Sequence, residues 1–255
     1  FGDLEADIET IGCTPNGINI NENVGSTKIN TLANFVKENN VDVGFAFDGD
    51  GDRVLAVDAN GHVVDGDKIM FILAKHLKEK GELNDNMVVS TVMSNIGFYK
   101  AIEENGLQSV KTAVGDRYVV EEMRSNNYSL GGEQSGHIIL MNYATTGDGI
   151  LTAVKLADIL KTSGKTLEEL ANEVNIYPQK LVNIKVLDKK LAMEDQDVLE
   201  ECAKVEKELE GNGRILLRAS GTENLRVMVE ASSDELTDKY CEQVAQIVRE
   251  KYEVK

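Results

Sequence analysis

At 255 residues the chain is long enough for one to three domains, and 42% hydrophobic with 28% charged residues is the balance of a folded globular protein. A formal net charge of −17 speaks against nucleic acid as a partner, because so acidic a surface repels phosphate backbones and leaves any anionic substrate to be captured by a local basic site. No apolar run reaches the ~18 residues of a membrane span, so no membrane partner is expected either. The cysteines Cys13, Cys202 and Cys241 stand apart, without the spacing of a disulfide framework or a zinc site, which fits a reducing cytoplasmic setting.

Val41–Phe47 is a mostly apolar run ending in a Gly/Asp cluster and predicts a buried strand feeding a loop. Val54–Val57 predicts a second strand, Asn60-Gly61 a two-residue hairpin and Val63-Val64 the returning strand. Asp67 is a candidate cap for a helix carrying Ile69, Ile72, Leu73, His76 and Leu77 on one face and stopping at Gly81. Strands at 87–91 and 108–113 alternate with helices at 97–104 and 117–124, the pattern of a parallel α/β sheet. A helix follows Gly149 to Leu160, and Thr166 with Glu169 forms a capping box for the next. Tyr177-Pro178 breaks the pattern. Beyond it come a strand at 180–186, a helix near 195–209, strands at 214–218 and 226–231, and a closing helix capped by Ser232 and Glu235. The expected fold class is α/β, mixed-sheet α/β domains followed by a smaller α+β C-terminal domain. The expected units are 1–62, 63–176 and 177–255.

The most informative segment is Asp48-Gly-Asp50-Gly-Asp52-Arg53. Carboxylates at alternate positions of a glycine-rich turn crowd their charges, which is costly unless a cation neutralises them. Oxygen ligands suit a hard ion, so Asp48, Asp50 and Asp52 are candidate ligands for Mg²⁺ or Ca²⁺. An EF-hand loop needs Gly at its sixth position and Glu at its twelfth, and Arg53 and Ala59 stand there instead. A haloacid-dehalogenase phosphatase, with Asp48 as nucleophile and Asp50 as general acid, is the runner-up; its usual Thr or Val is replaced by Asp52. A non-catalytic phosphosugar-binding module is a third reading.

Gly131-Gly-Glu133-Gln-Ser135-Gly-His137 gathers carboxylate, hydroxyl and imidazole groups suited to sugar hydroxyls. It lacks the glycines two residues either side of the serine that a hydrolase elbow needs. Arg218-Ala-Ser220-Gly221-Thr222-Glu223, with Arg226 beyond, offers two guanidinium groups, hydroxyls and a glycine that lets backbone N–H groups approach an anion. Gly115-Asp-Arg117 is a weaker candidate, with Arg117 a substrate contact or a structural cap.

Together DGDGDR at 48–53, VGDRYV at 114–119, GEQSGH at 132–137 and RASGTE at 218–223 resemble the α-D-phosphohexomutase superfamily. Gln134 and the Ala144–Gly149 run are most similar to its phosphoglucosamine mutases. The resemblance implies Mg²⁺ held by Asp48, Asp50 and Asp52, with Arg53 beside the phosphoryl group in flight. It implies Glu133 and Ser135 on sugar hydroxyls, His137 assisting proton transfer, and Arg218, Ser220, Gly221, Thr222 and Arg226 on the non-reacting phosphate. The implied partner is a phosphosugar, and the implied reaction interconverts glucosamine 6-phosphate and glucosamine 1-phosphate through a bisphosphate. A homodimer is a further expectation, from apolar surface at a missing domain contact.

Two features depart from the family. The phosphate loop reads TENLRV where a proline and one more residue are usual, and a one-residue change in a strand reverses side-chain direction, which puts the aim of Arg226 in question. The family's phosphoryl donor is a phosphoserine in a Ser-His-Asn-Pro-like loop. Pro15, Pro178, His62, His76 and His137 are the chain's prolines and histidines, and none forms that loop. The chain by itself is therefore expected to show no mutase turnover; robust conversion of glucosamine 6-phosphate by the purified 255-residue chain would refute this.

Overall fold

The computed structural model describes residues 1–220 and 224–254. Its first α-helix, α1 (Asn30–Asn39), falls where the sequence carries no signal: Val36 is its one buried residue, and no side chain caps its N-terminus. It packs on an antiparallel sheet of β1 (Val43–Phe47), β2 (Val54–Asp58) and β3 (Val63–Val64). The hairpin joining β2 to β3 is longer than the Asn60-Gly61 signal predicts. Asp58 N donates to His62 O, and of the two central residues Gly61 alone has a positive φ, so a two-residue mirror-image turn does not form.

Helix α2 (Gly66–Glu79) is capped two residues earlier than expected. Asp65 is extended and its Oδ1 accepts from Lys68 N at 3.1 Å, whereas Asp67 lies inside the first turn, fully buried, with Oδ2 accepting from Asn95 N at 2.7 Å. Asp67 thus joins the start of α2 to that of α3 (Ile96–Glu104), which follows β4 (Met87–Thr91) in the chain. Next come β5 (Gln108–Thr112), α4 (Asp116–Asn126), β6 (Leu130–Gly132), β7 (Ile138–Leu140), α5 (Gly149–Ser163) and α6 (Leu167–Ala171). The capping box at Thr166 and Glu169 forms as the sequence predicts. The sheet order is β5-β4-β6-β7, with β4 parallel to β5 and β6 and β7 antiparallel to β6. The hairpin β6–β7 makes it mixed. Val89, Val119, Met123 and Ile139 form a core between this sheet and α4.

The chain divides into Phe1–Asn175 and Ile176–Lys255. The second unit contains β8 (Gln179–Lys185), α7 (Lys189–Met193), α8 (Gln196–Leu209), β9 (Gly213–Ala219), β10 (Asn224–Ala231) and α9 (Asp234–Tyr252). Its sheet is antiparallel throughout, in the order β8-β10-β9. One face carries Ile184, Leu225, Val227 and Val229 against Val198, Val205, Tyr240, Val244 and Val248 of α8 and α9. At ~1.5–3 kcal/mol per fully buried aliphatic side chain, this face fixes the register. The cap of α9 is Ser233, whose Oγ accepts from Leu236 N; Ser232, one residue earlier, is not the cap.

Across β9 and β10, Glu230 stands opposite Arg214 and receives both Nε and Nη2, at 2.8 and 3.0 Å, with no exposed surface of its own. Removing one partner strands a buried charge, while replacing both by apolar groups removes the desolvation cost as well. Glu230→Met should lower unfolding stability by about 3 kcal/mol, and Arg214→Met added to it should recover most of that loss. Urea titration of the two variants checks this.

Candidate metal, sugar and phosphate loops

The turn between β1 and β2 is closed by Asp48. Its Oδ1 accepts from Gly51 N at 3.1 Å and Arg53 N at 3.2 Å. The carboxylates of Asp48, Asp50 and Asp52 then converge, one oxygen from each lying within 4.8 Å of the others. Arg53 Nε is 3.8 Å from both Asp48 Oδ2 and Asp52 Oδ1. Asp52 Oδ1 is buried and has no hydrogen-bond partner among the described residues. Burial raises the pKa of Asp52; His137 opposes the rise, and the charges of Asp48 and Asp50 reinforce it. At Asp48 burial also works upward, but hydrogen bonds from the Arg53 amide and from the neighbouring carboxyl groups carry the pKa below the usual carboxylate range. Carboxylates this close repel one another, a cost that a cation bound among them offsets. The all-oxygen donor set and the orphaned Asp52 Oδ1 fit a hard divalent cation.

A second acidic group contrasts with this one. Asp58, His62 and Glu168 also come within 4.8 Å of one another. Their atoms are engaged by the hairpin itself: Asp58 Oδ1 accepts from Asn60 N and His62 N, Asp58 Oδ2 meets His62 Nδ1 at 3.1 Å, and Glu168 Oε2 accepts from Asn60 Nδ2. That group is a lock on the β2–β3 turn.

The loop between β6 and β7 carries Glu133, Ser135 and His137, at the carboxyl end of a parallel strand, where open α/β sheets bind ligands. It is stitched to the aspartate turn. Val54 N donates to Gly136 O at 3.1 Å, and Arg53 and His137 form an isolated antiparallel bridge. Gly136 has φ +94°, and a Cβ there would sit 2.2 Å from Val54 O, so no other residue fits. His137 is buried; its Nε2 lies 3.4 Å from Asp52 Oδ2, while Nδ1 has no hydrogen-bond partner among the described residues. Glu133 is half-buried and its Oε1 accepts from Gly115 N, which ties in the loop after β5. Ser135 is exposed at the tip. Arg117, in the first turn of α4, is exposed and lies over the Tyr118 ring, with Nη2 donating to Tyr118 Oη at 2.9 Å.

Several supporting residues escape a motif search. Asp65 receives Gln134 Nε2 at 3.3 Å, and Gly66 N donates to Gln134 O, which pins the β6–β7 loop from the start of α2. Gly147 packs on the His137 ring so closely that a Cβ would lie 2.3 Å from Nε2. Gly149 N donates to Gly51 O, bringing the start of α5 onto the aspartate turn. The hint in the sequence is the Thr-Thr-Gly-Asp-Gly run before α5.

In the second unit Arg218 and Arg226 are cross-strand partners on β9 and β10, both half-buried. Burial lowers the pKa of Arg218, and the charge of Arg226 lowers it further. Arg226 Nε donates to Asn183 Oδ1 at 3.0 Å, and Lys189 Nζ donates to Ser220 O at 2.9 Å; neither Asn183 nor Lys189 carries a motif. Ser220 is buried, and its N donates to Asn224 O. Gly221 and Thr222 lie outside the described residues.

Residues 65–177 match the model for phosphoglucomutase/phosphomannomutase alpha/beta/alpha domain III, and residues 181–247 match that for the C-terminal domain of the same family. Phosphoglucosamine mutase from Anoxybacillus flavithermus is 60% identical over 253 residues, covering 99% of this chain and 57% of the relative. That from Staphylococcus aureus strain RF122 is 59% identical over 252 residues, covering 98% and 56%. The chain therefore spans a little over half the length of these relatives. Among solved structures, Aspergillus fumigatus N-acetylphosphoglucosamine mutase in complex with GlcNAc-6P and magnesium has a TM-score of 0.74 at 22% identity, covering 90% of this chain and 53% of that one. The phosphomannomutase-like structure from Thermus thermophilus has a TM-score of 0.65 at 23% identity, covering 88% and 50%. With two consecutive domain models matched in order and relatives near 60% identity along its whole length, the chain belongs to the phosphoglucomutase/phosphomannomutase family and is most similar to its phosphoglucosamine mutases.

Proposed function

We propose that this chain supplies the metal, sugar and phosphate loops of a phosphoglucosamine mutase, which interconverts glucosamine 6-phosphate and glucosamine 1-phosphate. The observation that carries the reading is the convergence of Asp48, Asp50 and Asp52, with a buried oxygen of Asp52 left without a hydrogen bond. In this reading residues 1–62 contribute the metal loop, 63–176 the sugar loop and 177–255 the phosphate-binding domain.

Phosphoryl transfer is mostly positioning and charge stabilisation, and the proposed roles follow that division. Asp48, Asp50 and Asp52 hold Mg²⁺, which when bound offsets negative charge on the phosphoryl oxygens. Arg53, beside Asp48 and Asp52, places a guanidinium next to the same oxygens. Glu133 and Ser135 hold sugar hydroxyls, and Glu133 is held in turn by the Gly115 amide. His137, buried against Asp52, assists proton movement at the hydroxyl that accepts or releases the phosphoryl group. Arg117, at the exposed start of α4, adds a further cation for substrate. Arg218, Ser220, Gly221, Thr222 and Arg226 grip the phosphate that is not reacting, so the sugar is held while either end is phosphorylated. A phosphoryl group passed from the family's phosphoserine to a hydroxyl of one sugar phosphate makes the bisphosphate, which returns its other phosphoryl group to that serine and leaves the isomer to be released. The enzyme works in the cytoplasm.

Two measurements test this. In calorimetric titration the chain should bind Mg²⁺, and Asp50→Asn and Asp52→Asn should each weaken binding about tenfold or more, since ligand charge sets affinity at such sites. Unchanged binding in both variants overturns the metal assignment. Joined to the N-terminal part of the Anoxybacillus flavithermus relative, the chain should convert glucosamine 6-phosphate in preference to glucose 6-phosphate or mannose 6-phosphate. Equal or better use of a neutral hexose phosphate overturns the amino-sugar assignment.

A further inference from the structure

We infer that Asn183 is a positioning residue of the anion site in the second unit: it holds Arg226 by Nε so that the terminal nitrogens of Arg226, with those of Arg218, are presented to a phosphate. This rests on reading Arg218 and Arg226 as phosphate ligands. Asn183, Arg226 and Arg218 form one rung across β8, β10 and β9, Arg226 being the register partner of both others. Directly opposed side chains in an antiparallel pair lie ~4.5–5.5 Å apart at Cβ, and like charges there destabilise the sheet. The same sheet handles a cation differently four residues along β10. At the Arg214–Glu230–Gln179 rung, on the same face, a carboxylate takes Nε and Nη2 of the arginine and neutralises it.

At the Arg226 rung the position that could carry such an acid carries its uncharged amide. An acidic residue there would neutralise Arg226 as Glu230 neutralises Arg214. An amide oxygen instead orients the guanidinium through one of its five N–H groups and leaves two positive charges on the rung. The side chain of Arg226 hydrogen-bonds Asn183 among the described residues, and the side chain of Arg218 makes no hydrogen bond or ion pair with any described residue. Asn183 is exposed, so its substitution disturbs no packing.

The test uses the whole chain, inorganic phosphate as the probe and calorimetry as the readout, with the Arg226 side-chain Nε–H signal followed by NMR. Asn183→Ala should weaken phosphate binding about three- to tenfold, the range of one lost hydrogen bond. It should also broaden the Arg226 Nε–H signal without moving the thermal midpoint. Asn183→Asp should weaken binding further, because it keeps the acceptor and adds the neutralising charge. In an Arg226→Ala background, Asn183→Ala should have no further effect. Wild-type affinity in Asn183→Ala, tight binding by Asn183→Asp, or additive losses in the double variant overturn the inference and leave the phosphate site standing. If wild type and Arg218→Ala are equally unable to bind phosphate, the reading of the site falls and this inference with it.

Discussion

Electrostatic crowding on one turn is the constraint around which the first unit is arranged. Asp48, Asp50 and Asp52 cannot be brought together cheaply, and the fold spends much local structure on holding them there. Asp48 gives one oxygen to two amides of its own loop. The loop is then clamped by Gly136 from the β6–β7 hairpin and by the start of α5 through Gly149. These contacts put Arg53 and His137 beside the carboxylates by backbone geometry, independent of any attraction between side chains. The collisions that a Cβ would make at Gly136 and Gly147 explain why the neighbouring segments are rich in glycine: the backbones approach too closely for any side chain.

Charged groups in this chain fall into two kinds, and the difference is physical. Asp58 with His62, Glu168 with Asn60, and Arg214 with Glu230 each satisfy their charges or lone pairs internally. Buried charges are normally found in that state, and it accounts for them without any ligand. The Asp52 carboxylate and the Arg218–Arg226 pair are different: one has an orphaned oxygen, the others face each other with like charge. A fold keeps such arrangements at a cost, and a ligand of opposite charge removes the cost. On this basis the Asp58–His62–Glu168 group and the Asp48–Asp50–Asp52 group, each gathered within 4.8 Å, receive opposite readings.

Most elements are legible because periodicity and capping chemistry act locally. The alternation of apolar strands with helices from 87 to 126 gives the α/β character, and Thr166 with Glu169 gives the start of α6. The misreadings have local causes too. Asp67 and Ser232 look like caps because the residue types are right, but Asp65 and Ser233 have the extended backbone a cap needs. Helix α1 is missed because its stripe buries a single residue. In the site, Asp48, Asp50 and Asp52 are visible because their spacing and type are together unusual. Asp65, Asn183 and Lys189 are not visible, since each acts across the fold on a residue far away in sequence, and nothing near it marks the contact.

The shortened loop before Arg226 shows how the core settles a question that motif comparison raises. Leu225 and Val227 are buried in the face that packs on α8 and α9, with Val229 beyond them. Side chains alternate along a strand, so with those residues inward Arg226 points to the opposite face. Reversing it would take Leu225 and Val227 out of that core and put a guanidinium into it, a loss of several kcal/mol in transfer energy alone. The pairing of β10 with both neighbours runs without interruption from Leu225 to Glu230. Arg226 stays opposite Arg218 because the hydrophobic face on the other side of the strand leaves it no alternative.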